Sequence, residues 1–131
     1  MSKYDLVCII DDNPTFVFGI QRLMTLADVT SEYIVFNDGE NALNGLKSRM
    51  EHPEKLEAIP DVILLDLNMP VMDGWRFLDE FTQIQSPKKI TIYIVSSSIN
   101  PLDIERAKQY DEVKEYIIKP ISYDDVKSYF L

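Results

Sequence analysis

Four short apolar runs in this chain each close on a polar residue: residues 6–10 end on the pair Asp11 and Asp12, residues 62–65 on Asp66, residues 92–95 on Ser96, and residues 116–118 on Lys119. Runs of this length are too short for most helices and suit strands buried on both faces of a sheet. Their polar ends are then expected to emerge together at one rim.

Segments with helical spacing separate the runs, and such alternation points to a parallel sheet covered by helices on both faces. After the first run, Phe16, Ile20, Leu23, Met24 and Ala27 recur at helical intervals, with Asn13 as cap and Pro14 in the first turn. Residues 33–36 supply a further strand, and Asp38–Gly39 turns the chain into a helix with the stripe Ala42, Leu43, Leu46 and Met50. Residues 51–60 are charged and flanked by proline, as expected of a long surface loop. His52 lies there and is expected to be solvated, with no ligand role.

Asp73 caps a third helix that spaces Trp75, Leu78 and Phe81 for burial. Asn100–Pro101 opens a fourth, in which Leu102, Ile104, Ala107 and Tyr110 form a thin stripe, so this helix is expected to be the least firmly anchored. Ser122 and Asp125 have the spacing of a capping box before a last helix that buries Val126, Tyr129 and Phe130.

At 131 residues the chain is expected to form one domain, residues 1–131, with a continuous core. Its charge of −9 disfavours direct contact with nucleic-acid phosphates, so protein partners are expected instead. No apolar stretch reaches the length needed to cross a bilayer, and the N-terminal residues lack a signal-peptide pattern. Cys8, the one cysteine, lies inside an apolar run and reads as a small buried hydrophobe; a cytoplasmic location is the default.

With right-handed crossovers, a common arrangement of five parallel strands is the order 2-1-3-4-5, whose crevice opens between strands one and three. Asp11, Asp12 and Asp66 then meet beyond those two strands, while Ser96 and Lys119 arrive from strands four and five. At about 4 Å and an effective dielectric near 20, each carboxylate pair costs on the order of 4 kcal/mol, so the cluster calls for neutralisation. Lys119 offsets one charge, and a hard dication with oxygen ligands offsets the rest; few carboxylates with several retained waters suit Mg²⁺ better than Ca²⁺. These residue types are those of a site where Asp66 accepts a phosphoryl group, Asp11 and Asp12 hold the ion, and Ser96 and Lys119 bind phosphoryl oxygens.

The chain resembles the receiver domains of two-component response regulators over essentially its whole length. The resemblance rests on the acidic pair Asp11–Asp12, the segment from Asp66 to Pro70, the Asp73–Gly74 turn, the hydroxyl of Ser96, and Lys119 followed by Pro120. It implies a flavodoxin-like (CheY-like) α/β fold with five helices, and Asp66 as phosphoacceptor for a histidine kinase or histidine phosphotransfer protein. It further implies that the backbone carbonyl of Asn68 completes a Mg²⁺ shell in which Mn²⁺ can substitute, that the Lys119–Pro120 bond is cis, and that Ser96 and Tyr116 form the switch. Such a domain changes its surface when phosphorylated and is not a turnover enzyme. With no effector segment after Leu131, output is expected to pass through a separate downstream protein.

Two other classes share parts of this pattern. A haloacid-dehalogenase-type phosphatase also uses an aspartate nucleophile, Mg²⁺, a hydroxyl and a lysine, but places its nucleophile after the first strand with a second Asp two residues on. Here Asp66 follows the third strand and position 68 is Asn. A flavodoxin-like nucleotide or flavin binder needs a phosphate-cradling loop, and none of the four glycines forms one.

Overall fold

The computed structural model describes residues 2–131. Five strands, β1 (Val7–Ile10), β2 (Tyr33–Phe36), β3 (Val62–Leu65), β4 (Thr91–Ser96) and β5 (Val113–Ile118), form one parallel sheet in the order β2-β1-β3-β4-β5. Five helices connect and cover them: α1 (Pro14–Leu26), α2 (Gly39–Met50), α3 (Gly74–Phe81), α4 (Pro101–Ala107) and α5 (Tyr123–Phe130). The helix-covered parallel sheet that the alternation implies is present, and its strand order is that of the flavodoxin-like, CheY-like fold implied by the resemblance.

Every residue of β1 and β3 is buried, which explains why these strands read as unbroken apolar runs. Their side chains feed two cores. Cys8, Ile10, Ile63 and Leu65 point to the layer holding Leu46, Phe77 and Leu78, and Val7, Ile9, Val62 and Leu64 to the layer holding Ile20, Met24, Val126 and Phe130. Fully enclosed, the Cys8 thiol has its pKa pushed far above the ordinary thiol range by burial.

Local chemistry starts the helices where the sequence places the caps. Asn13 Oδ1 accepts from the N–H groups of Thr15 and Phe16, Asp38 caps α2, Asp73 caps α3, Asn100 caps α4, and Ser122 with Asp125 completes the capping box of α5. The Lys119–Pro120 bond is cis.

Several expectations are corrected. β5 begins at Val113, three residues before the apolar run, because Lys114 and Glu115 face outward on an edge strand and an irregularity beside Ile92 and Tyr93 absorbs one residue. Leu102 is 78% exposed, so it does not join the stripe of α4, in which only Ala107 is buried. In α5, Tyr129 is only partly buried. The 51–60 connection is not wholly a surface loop: a 3₁₀ turn at Leu56–Ala58 delivers Ile59 into the core. His52 is exposed and lies near Glu54, as the solvated reading requires.

Candidate phosphoryl-acceptor site

The sheet's own hydrogen bonds bring the candidate residues to one rim. Ile10 and Leu65 are paired across β1 and β3, so Asp11 and Asp66 follow side by side; Asp66 N–H donates to Ile10 O at 2.9 Å and Asp11 N–H to Phe36 O at 3.0 Å. On the other flank, Lys119 N–H donates to Ser96 O at 2.9 Å, which ties the end of β5 to the end of β4.

One carboxylate oxygen from each of Asp11, Asp12 and Asp66 lies within 4.8 Å of the others. Asp11 and Asp66 are buried and Asp12 is exposed, so the cluster opens to solvent on the Asp12 side. Asn13 N–H donates to Asp11 Oδ1 at 2.9 Å, and Leu67 N–H donates to Asp66 Oδ1 at 2.9 Å. Lys119 Nζ donates to Asp11 Oδ2 at 2.8 Å and stands 3.8 Å from Asp66 Oδ1.

Burial pushes the Asp66 carboxyl up to about 6, and the neighbouring charge of Asp11 adds to the rise; Lys119 and the Leu67 N–H oppose it, and Asp12 adds a smaller upward push. An all-oxygen, tri-carboxylate donor set with one open side fits a hard divalent cation, which would relieve the repulsion that raises Asp66.

Ser96 is fully buried, and its hydroxyl accepts from Ser98 N–H at 3.1 Å, so it engages its own loop and not Asp66. Tyr116 is half-buried, and its hydroxyl donates to Ser98 O at 2.9 Å. Asn68 has an exposed side chain on the loop after Asp66. The structure thus gathers Asp11, Asp12, Asp66 and Lys119 into direct contact or near contact, and links Ser96 to Tyr116 through Ser98.

Two contacts around the site emerge only in the folded structure. Ser98 also hydrogen-bonds through Oγ to Asp103 Oδ2 at 2.6 Å, which connects the Ser96 loop to the first turn of α4. Gly74 is packed so tightly beneath the loop that a Cβ there would meet the carbonyl oxygen of Asp66 and come within 2.9 Å of Leu67 Cα. The serine run and the Asp-Gly pair mark both places as turns, but only folded geometry reveals what they touch.

Comparison with known proteins agrees with this arrangement. The family model for the response regulator receiver domain matches residues 7–130. The chain is 27% identical over 122 residues to the probable methanogenesis regulatory protein FilR2 of Methanothrix harundinacea (strain 6Ac), covering 93% of this chain and 76% of that protein. It is 35% identical over 92 residues to the nitrate/nitrite response regulator protein NarL of Escherichia coli (strain K12), covering 70% of this chain but only 38% of NarL. A two component response regulator from Cytophaga hutchinsonii superposes with a TM-score of 0.83 at 28% identity, covering 96% of this chain and 93% of that one. With the sheet order, the acidic rim and the family match in agreement, the chain belongs to the response regulator receiver domain family of two-component signalling.

Proposed function

We propose that Asp66 is the phosphoacceptor of a signalling switch. The observation that carries this reading is the convergence of Asp11, Asp12 and Asp66 within 4.8 Å, with the Lys119 ammonium alongside. Asp11, Asp12, Asp66 and the backbone carbonyl of Asn68 would hold Mg²⁺, or Mn²⁺ in its place. When bound, the dication offsets the carboxylate charge and that of the incoming phosphoryl group.

The remaining chemistry belongs to the chain. A carboxylate oxygen of Asp66 attacks phosphorus as the bond from phosphorus to the donor histidine nitrogen breaks, leaving an aspartyl phosphate and a free imidazole. Lys119 binds one phosphoryl oxygen and the Ser96 hydroxyl donates to another. Movement of Ser96 draws on Ser98, which already holds Tyr116 and Asp103, so the change reaches α4 and β5.

The donor is a histidine kinase or histidine phosphotransfer protein, and the recipient is a downstream protein that reads the altered surface. Residues 1–131 act as one receiver unit in the cytoplasm; among the described residues, no helix is long and apolar enough to cross a membrane. The site labels itself once per donor and is not a turnover enzyme.

Mass spectrometry after incubation with acetyl phosphate and Mg²⁺ tests the reading. A single phosphoryl gain on the Asp66 peptide, lost with chelator and in Asp66→Asn, is expected. Labelling that survives Asp66→Asn, or steady turnover of p-nitrophenyl phosphate, would overturn it.

A further inference from the structure

Lys119 has a third neighbour besides the two aspartates. Its Nζ lies 4.2 Å from the centroid of the Phe16 ring, within the range of a cation–π contact. Phe16 is half-buried and packed against the α1 side of the core, while the Lys119 side chain is only 17% exposed. A ring held by the core and facing an ammonium in a partly desolvated crevice is the setting in which this attraction is strongest.

The contact closes a circuit. Asp11 Oδ1 accepts from Asn13 N–H at 2.9 Å; Asn13 Oδ1 accepts from Phe16 N–H at 3.2 Å; the Phe16 ring faces Lys119; and Lys119 donates to Asp11 Oδ2 at 2.8 Å. The Asn13 cap therefore fixes both the Asp11 carboxylate and the backbone of the residue whose ring faces the ammonium. Lysine carries a long flexible stem that loses rotamer freedom when its head is fixed, so a site that needs its ammonium at one point gains from a second restraint.

We propose that Phe16 is a positioning residue for the phosphoryl-transfer site: its ring face holds the Lys119 ammonium over the crevice. The ring acts through Lys119. The role rests on the reading of Asp66 as phosphoacceptor, and it gives position 16 a chemical requirement, an electron-rich ring, beyond the apolar spacing of α1.

The test separates ring electronics from ring volume and uses a small donor, so that no docking surface contributes. Phe16→Leu, Phe16→Tyr and a protein carrying pentafluorophenylalanine at position 16 are labelled with acetyl phosphate at saturating Mg²⁺. The fluorinated ring keeps nearly the same shape but reverses the charge distribution of its face. The Lys119 ε-methylene proton shifts, moved upfield by a facing ring, are read by NMR without any phosphodonor.

The labelling rate is expected to fall about fivefold in Phe16→Leu and in the fluorinated protein, consistent with a contact of this kind, and to return to within about twofold of the parent in Phe16→Tyr. The upfield shift should vanish in Phe16→Leu. A fluorinated protein that labels at the parent rate would reduce Phe16 to packing and overturn the proposal, as would a parent protein whose Lys119 protons show no upfield shift. A parent that shows the shift but takes no phosphoryl group on Asp66 would instead defeat the phosphoacceptor reading, and the positioning role with it.

Discussion

Lys119 donates to Asp11 at 2.8 Å while standing 3.8 Å from Asp66, so the ammonium is committed to Asp11 and not to the proposed phosphoacceptor. A divalent cation and Lys119 then compete for the same Asp11 carboxylate. Lys119→Met removes the competitor and the positive charge that would repel an incoming cation. Isothermal titration calorimetry should show Mg²⁺ binding about tenfold more tightly in this variant, equivalent to about 1.4 kcal/mol, even as acetyl phosphate labelling slows. Equal or weaker Mg²⁺ binding would mean that the pair does not restrain the site.

The raised Asp66 carboxyl makes a stability prediction with a definite sign. Its folded-state value of about 6 lies above the unfolded value near 3.8, because burial and the Asp11 charge disfavour ionisation. The folded state therefore holds the proton more tightly; the associated stability is complete below about pH 3.8 and is lost as the pH rises through about 6. The full shift corresponds to roughly 3 kcal/mol, and water at the open side of the crevice reduces this to about 1–2 kcal/mol. In the absence of divalent cations, Asp66→Asn should be more stable than the parent by that amount at pH 7.5, and the gap should close toward pH 4.5. Urea denaturation at the two pH values measures it, and a gap independent of pH would contradict the assignment.

How much of this is legible in the sequence depends on which physical constraint acts on each residue. β1 and β3 are buried on both faces, so their apolar runs and the positions of Asp11 and Asp66 at their ends can be read directly. β5 lies at the sheet edge and exposes Lys114 and Glu115 in succession, so only its last half stands out, although Lys119 at its end does not suffer. The links through Ser98 are hidden because they depend on the path of the β4–α4 loop: the end of an apolar run singles out Ser96, but nothing in the spacing shows that Ser98 meets Tyr116 and Asp103. Phe16 reads as one apolar position of α1 among several, and nothing in its spacing distinguishes a ring that faces Lys119 from one that only packs.

Gly74 and Gly19 form a natural pair of controls for the packing beneath Asp66. A Cβ at Gly74 would collide with backbone atoms of Asp66 and Leu67, which have no rotamer to escape into, whereas a Cβ at Gly19 would meet nothing within 4 Å. Gly74→Ala should cost about 2–3 kcal/mol and displace the Asp66 loop enough to slow acetyl phosphate labelling about tenfold. Gly19→Ala, inside α1, should leave labelling unchanged and stabilise by about 0.5–1 kcal/mol. Thermal melts and labelling rates on both proteins decide the matter, and a Gly74→Ala protein that labels at the parent rate would show that the loop tolerates the shift.

The fourth helix is held less by burial than by a clamp to α3. Only Ala107 of α4 is buried, but Arg106 lies 4.5 Å from the Trp75 ring centroid and 3.7 Å from Asp79 Oδ2. The Tyr110 hydroxyl donates to the same Asp79, and the Tyr110 and Trp75 rings stack at 6.0 Å. Exposed ion pairs and cation–π contacts are each worth about 0.5–1 kcal/mol, too little to change global stability much but a large share of what holds a helix with one buried side chain. Arg106→Ala should therefore lower global stability by less than about 1 kcal/mol while speeding amide hydrogen exchange in α4 about three- to tenfold, with α1 and α2 unaffected. If α4 amides exchange at the parent rate, the helix is held by its packing on β5 through Ala107 and by the Ser98–Asp103 bond at its first turn, and the clamp to α3 contributes nothing to its local stability.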